Sequence, residues 1–234
     1  MTRDSRLPEI ALVVACQAND SPAASDAARS ILAQIRQAGL TCLAAVDEAG
    51  LSAIAAHAPL AASRLELAAI MPSSKESASL ESRLQACREM SANADAVFLP
   101  VGGSLHGARA DLARLGVGTV IDVAGLVGRR PLPFHVLRMA VDAVAPAASW
   151  WRRFAKLPLK PLLASRGHSA TVVLDAALMA KTGAMGRRQV SCAVEMLRQA
   201  QGEGVIQIVT LHESAALRTA TRRSASQQSI LRAA

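Results

Sequence analysis

The chain has 234 residues, 51% hydrophobic, 2% aromatic and 19% charged, with 26 Lys and Arg against 18 Asp and Glu. So much Leu, Val, Ile and Ala supplies the apolar area that offsets the entropy of ordering, which excludes disorder over most of the chain. A membrane-spanning helix is also excluded, because the longest uncharged stretch, residues 49–63, falls short of the roughly 20 apolar residues required and carries His57 and Pro59.

Residues 9–16 form a continuous Val-rich run between polar flanks, the pattern of a strand buried on both faces. Arg3 and Arg6 before this run suggest a secretory leader, but Pro8 and Glu9 intrude and the run is short, so it reads as the first strand. From Ser25, residues Ala28, Ile31, Leu32 and Ile35 recur at helical spacing until Gly39. Strand and helix then alternate: strands at 40–46, 65–71, 94–100 and 117–123, and helices at 48–62, 80–91 and 108–115. Beyond Pro146, Trp150, Trp151 and Phe154 lie among Arg152, Arg153, Lys156 and Lys160, with Pro158 and Pro161 spoiling a continuous helix. A strand at 170–175, a helix at 187–201 and a strand at 205–211 follow, then a tail rich in Ser, Arg and Ala. The pattern predicts an α/β protein with a mostly parallel sheet. It divides into a unit at 1–145, a basic aromatic linker at 146–165 and a β-α-β extension at 166–234.

Charge is uneven: residues 1–120 carry 10 basic and 12 acidic side chains, net −2, and residues 121–234 carry 16 and 6, net +10. A basic half is the electrostatic footprint of a polyanion partner, and equally of a solvated basic face. Cys16, Cys42, Cys87 and Cys192 are far apart, which points to reduced thiols, a cytoplasmic setting and no zinc site. The five histidines share no short spacing, so no metal site or catalytic triad can be assembled, and no cofactor is indicated.

In open parallel sheets, ligands bind beyond the carboxyl ends of the strands. Two glycine-bearing segments qualify. Gly102, Gly103, Ser104 and His106 follow the fourth strand, where paired glycines allow close backbone approach and the next helix start attracts phosphate; a plain tight turn needs the same residues. Lys181, Thr182, Gly183 and Arg187 could form an anion nest or a solvated basic loop. The order is not that of a phosphate-binding P-loop.

The stretch 81–103, with Arg83 on a helix, then Asp95-Ala96 and a strand ending Pro100-Val101-Gly102-Gly103, resembles the SLOG group of Rossmann-like nucleotide-binding proteins. That superfamily contains the lysine-decarboxylase-like cytokinin-activating phosphoribohydrolases and the DNA-processing protein A family. Residues 43–47 and 64–72 look like its second and third strands. The resemblance spans roughly residues 9–125 and implies a Rossmann-like three-layer sandwich. It also implies a nucleotide or phosphorylated small molecule bound by the 102–106 loop with help from Arg83. The chain departs from the pattern at Val101, Leu105 and His106, and Arg109 stands where the family's catalytic Glu belongs. The expectation is therefore ligand binding without intact catalysis. The alternatives are a nucleoside-monophosphate phosphoribohydrolase or related N-glycosyl hydrolase, and a non-catalytic protein docking on a polyanion through its basic half. No catalytic residue is assigned, and a homodimer is compatible with the sequence.

Overall fold

A computed structural model describes residues 7–17, 21–55, 65–72, 77–91, 94–100, 109–123, 137–147 and 169–213. The strands are β1 (Glu9–Cys16), β2 (Cys42–Val46), β3 (Leu65–Ile70), β4 (Ala96–Leu99), β5 (Thr119–Asp122), β6 (Leu137–Ala140), β7 (Ala143–Ala145), β8 (Ser169–Asp175) and β9 (Gln207–Val209). The helices are α1 (Pro22–Gln37), α2 (Glu48–Ala55), α3 (Ser77–Met90), α4 (Arg109–Arg114) and α5 (Ala176–Gly202). Each expected strand is present, some shorter by one to a few residues. β6 and β7 are additions that four- and three-residue runs carrying Arg138 and flanking Asp142 do not announce.

All described strands lie in one sheet with parallel pairings, in the order β6-β5-β4-β3-β2-β1-β8-β7. β9 pairs with the first three positions of β1, and β2 with positions 13–16. The path starts on β6 and ends on β7, yet only Val141 and Asp142 separate these two. Val141 N–H donates to the Asp122 carbonyl at 3.2 Å, and Asp142 N–H to the Thr171 carbonyl at 2.9 Å. The Thr171 N–H donates in return to Asp142 Oδ2 at 2.8 Å. Residues 137–145 are thus one bent strand whose first half pairs with β5 and whose second half pairs with β8. The sheet curls until its two ends meet on that strand.

This curl sorts the side chains. Outward residues Ile10, Leu12 and Val14 of β1 pack with Ile31 of α1, Ile54 of α2, Leu84 of α3, Leu112 of α4 and Val190 of α5. Every described helix thus covers the same face. The inward residues form a second core of Ala11, Ala15, Ala45, Ala68 and Ala96, filled by Val13, Phe98, Ile121 and Leu211. Small side chains are what the converging interior of a curled sheet accommodates. The parallel α/β architecture is as expected. The expected three-layer sandwich gives way to a barrel-like sheet, because the strands add consecutively from β1 to β6 and right-handed crossovers then put their helices on one side.

α1 shows the local logic. Pro22 at its first turn suits the preset φ of a helix start, Ala24, Ala27, Ala28, Ile31 and Ile35 make one buried stripe, and Gly39 follows with φ +70°. At the next crossover Gly50 lets α2 approach the end of β1: a Cβ there would lie 2.2 Å from the Cys16 carbonyl oxygen, a backbone atom. Gly50→Ala is expected to cost about 2–3 kcal/mol in urea unfolding, near the upper end of overpacking penalties. An unchanged midpoint would show that α2 shifts freely.

Candidate functional site at the carboxyl ends of the strands

In parallel barrels the carboxyl ends of the strands present side chains to ligands, while the opposite end serves stability. Two carboxylates flank the end of β1. Asp47 follows β2 directly and is 7% exposed; its Oδ1 accepts the Gly50 N–H at 2.7 Å. Asp175 ends β8, level with Ala15, and its Oδ1 accepts the Leu178 N–H at 2.8 Å as N-cap of α5. Their parity with Leu43 and Ala45, and with Val173, puts both on the inward face. At its carboxyl end β1 lies between β2 and β8, so the backbones of these two strands are about 10 Å apart there.

Burial raises the Asp175 carboxyl above the ordinary range, and the N–H groups of Leu178 and Ala177 only partly oppose this. Between the two strands, the Cys16 thiol is pushed far up by burial, then by Cys42, Asp47 and Asp175, which makes it an inert core thiol. Burial likewise pushes the thiols of Cys42 up to about 12 and Cys87 up to about 11.

Arg83 reaches this rim from α3. Its Nη1 donates to the Ile70 carbonyl at the end of β3 at 3.0 Å, and its Nε lies 3.7 Å from Glu48 Oε1. Gly102, Gly103, Ser104 and His106 lie outside the described residues. Lys181, Thr182, Gly183 and Arg187 lie within α5, where the sequence suggested a loop. The helix breaks at Gly183 (φ 61°, ψ −131°), Lys181 and Arg187 are exposed, and the Thr182 hydroxyl donates to the Leu178 carbonyl at 2.7 Å. Among the described residues, no three His, Cys, Asp or Glu side chains come together to hold a metal, and no helix is long and apolar enough to cross a membrane.

The opposite end is closed by a turn at residues 210–213 following β9. Thr210 and Glu213 cap it reciprocally: Thr210 N–H donates to Glu213 Oε2 at 2.9 Å, and Glu213 N–H to Thr210 Oγ1 at 3.2 Å. Glu66 of β3, 7% exposed, accepts the Leu211 N–H at 2.6 Å and the His212 N–H at 3.3 Å. Burial raises its carboxyl, against the opposing pull of these N–H groups. A small cleft lined by Leu43, Glu66, Asp95, Thr119 and His212 lies beside it.

No family model and no curated protein sequence matches the chain. Solved structures do match in fold. A 4-alpha-glucanotransferase from Thermococcus litoralis superposes with TM-score 0.64 at 11% identity, over 89% of this chain and 40% of that one. This chain therefore spans less than half the length of that enzyme. A Mycobacterium smegmatis protein assigned as a polysaccharide deacetylase gives 0.59 at 11% identity, over 94% of both chains. The peptidoglycan deacetylase PdaC from Bacillus subtilis gives 0.58 at 12% identity, over 96% of this chain and 99% of that one.

These neighbours overturn the resemblance to the SLOG nucleotide-binding proteins, and with it nucleotide or phosphorylated-ligand binding as the function and a nucleotide as the partner. The physical reason is in the strand order. A dinucleotide fold reverses its order at a switch point and opens a crevice there. Here the order runs from β1 to β6 without reversal and returns through the bent strand.

Asp47, Asp175 and Glu66 are the site and floor residues that sequence reasoning did not single out. An available signal was the carboxylate that closes an apolar run, as in Val46-Asp47 and Leu174-Asp175.

Proposed function

We propose that the protein acts on a glycan, hydrolysing an acyl substituent at the carboxyl-end mouth of its curled sheet. The observation that carries this reading is the pair of inward carboxylates on the two neighbours of β1, in a fold shared with polysaccharide deacetylases. Hydrolysis adds hydroxide from water to the acyl carbon and a proton to the departing sugar oxygen or nitrogen. Asp47, oriented by the Gly50 N–H, is placed to take the proton from water. Asp175, biased by burial toward its protonated form, is placed to give one to the leaving group. The cytoplasmic setting read from the cysteines belongs to the same proposal. All four are free thiols, three of them buried, which supports a reducing compartment and a soluble glycan or glycan precursor as substrate.

The test is acetate release by the purified full chain from acetylated oligosaccharides, with Asp47→Asn alongside. Turnover by the wild type and a loss of about 10²-fold or more in the variant are expected. No acetate from any substrate would refute the proposal, and equal rates would remove Asp47 from the chemistry.

A further inference from the structure

Arg83 holds an unspent donor at the mouth. Its side chain is 19% exposed, and its Nε is shielded from solvent yet meets no hydrogen-bond acceptor among the described residues. Buried N–H groups are rarely left unpaired, and leaving one so costs about 1–3 kcal/mol. The carboxylate that approaches this Nε among the described residues, Glu48 Oε1, stops at 3.7 Å, beyond hydrogen-bond reach, and its side chain is 71% exposed. The guanidinium is meanwhile fixed in place by the Nη1 bond to the Ile70 carbonyl. Glu48 opens α2 directly after Asp47, so the contact with Glu48 places Arg83 at the same end of the sheet as the two carboxylates assigned to the chemistry.

We infer that Arg83 forms a subsite for a carboxylate carried by the glycan, so that the preferred substrate is an acidic sugar polymer. This rests on the glycan reading above and names its substrate class. A planar carboxylate can take the Nε–H together with a free Nη–H in the paired geometry that guanidinium favours. Glu48 occupies the neighbourhood loosely and would swing into solvent when that ligand arrives. A single guanidinium already next to one carboxylate balances a monoanion better than a phosphate dianion, which selects a sugar acid.

The experiment is calorimetric titration of the full chain with an oligogalacturonate, its neutral methyl ester and a phosphorylated oligosaccharide of equal length. Wild type, Arg83→Ala and Glu48→Gln are compared. The wild type is expected to bind the acid about tenfold more tightly than the ester, Arg83→Ala to lose that preference while keeping ester affinity, and Glu48→Gln to enlarge it. Equal wild-type affinity for acid and ester, equal loss of both in Arg83→Ala, or preference for the phosphorylated sugar would each overturn the inference. If no oligosaccharide binds, the glycan reading falls by itself. The subsite is then decided by whether glucuronate, and not glucose, protects Arg83 from phenylglyoxal: protection sustains it, and none overturns it.

Discussion

Replacing Glu66 with Ala is expected to lower stability by about 3 kcal/mol, since a buried N–H that loses its acceptor costs about 1–3 kcal/mol and two N–H groups lose theirs. In a chain of this length that corresponds to roughly 6–12 °C in the thermal midpoint. The Leu211 and His212 N–H groups end at Glu66, and Leu211 fills the inward core, so the loss loosens the turn that closes the barrel floor. Glu66→Gln keeps an acceptor and should recover much of the loss. Differential scanning calorimetry of the three proteins decides the matter: a midpoint for Glu66→Ala within 2 °C of wild type, on the order of the shift from 1 kcal/mol, would show that the turn holds without it.

Glu66 also fixes the sign of a pH effect. Its carboxyl and that of Asp175 are both raised by burial, so the native state binds their protons more tightly than the unfolded chain. The stability they contribute is fully present below the unfolded values, 4.5 and 3.8, and is lost as pH rises through the raised native ones. Glu66→Gln should flatten its part of that slope.

The second large effect is catalytic. Asp175→Asn keeps the side-chain oxygen that caps α5 but removes the proton that the proposed mechanism delivers to the leaving group. We expect a fall in kcat of about 10²–10⁴-fold at nearly unchanged stability. Wild-type kcat should decline on the alkaline side, as Asp175 loses its proton, and the residual activity of the variant should lack that limb. A wild-type profile retained in the variant would assign the acid to another group. A fall in thermal midpoint parallel to the fall in kcat would reduce Asp175 to a helix cap.

The sequence made the strands legible because β1, β2, β3 and β8 are apolar runs buried on both faces, and such runs differ in texture from the helices between them. It left the curl illegible on first reading, since alternating strands and helices look alike whether helices cover one face or two. Alanines 11, 15, 45, 68 and 96 line the inward face, but Val13, Leu43, Ile70 and Phe98 share it and Ala44 and Ala69 lie on the other, so side-chain size along the strands does not announce the curl. Arg83 was singled out as a phosphate ligand, a role that falls with the nucleotide resemblance. Asp47 and Asp175 were passed over because they look like ordinary strand-ending residues until β1 comes between them. The pairing of β9 with Glu9–Ala11 could not be read at all, because nothing local links residues about 200 positions apart.

That last pairing bears on how the protein is made. β1 is synthesised well before its partners β8 and β9, which end at Asp175 and Val209. At roughly 5–20 residues per second, about 10–40 s pass between synthesis of Cys16 and of Val209. Until β8 is made this Val-rich strand has one edge unpaired, and its first three positions then still wait for β9 on the other, so apolar surface of the kind chaperones shield stays open for most of that interval.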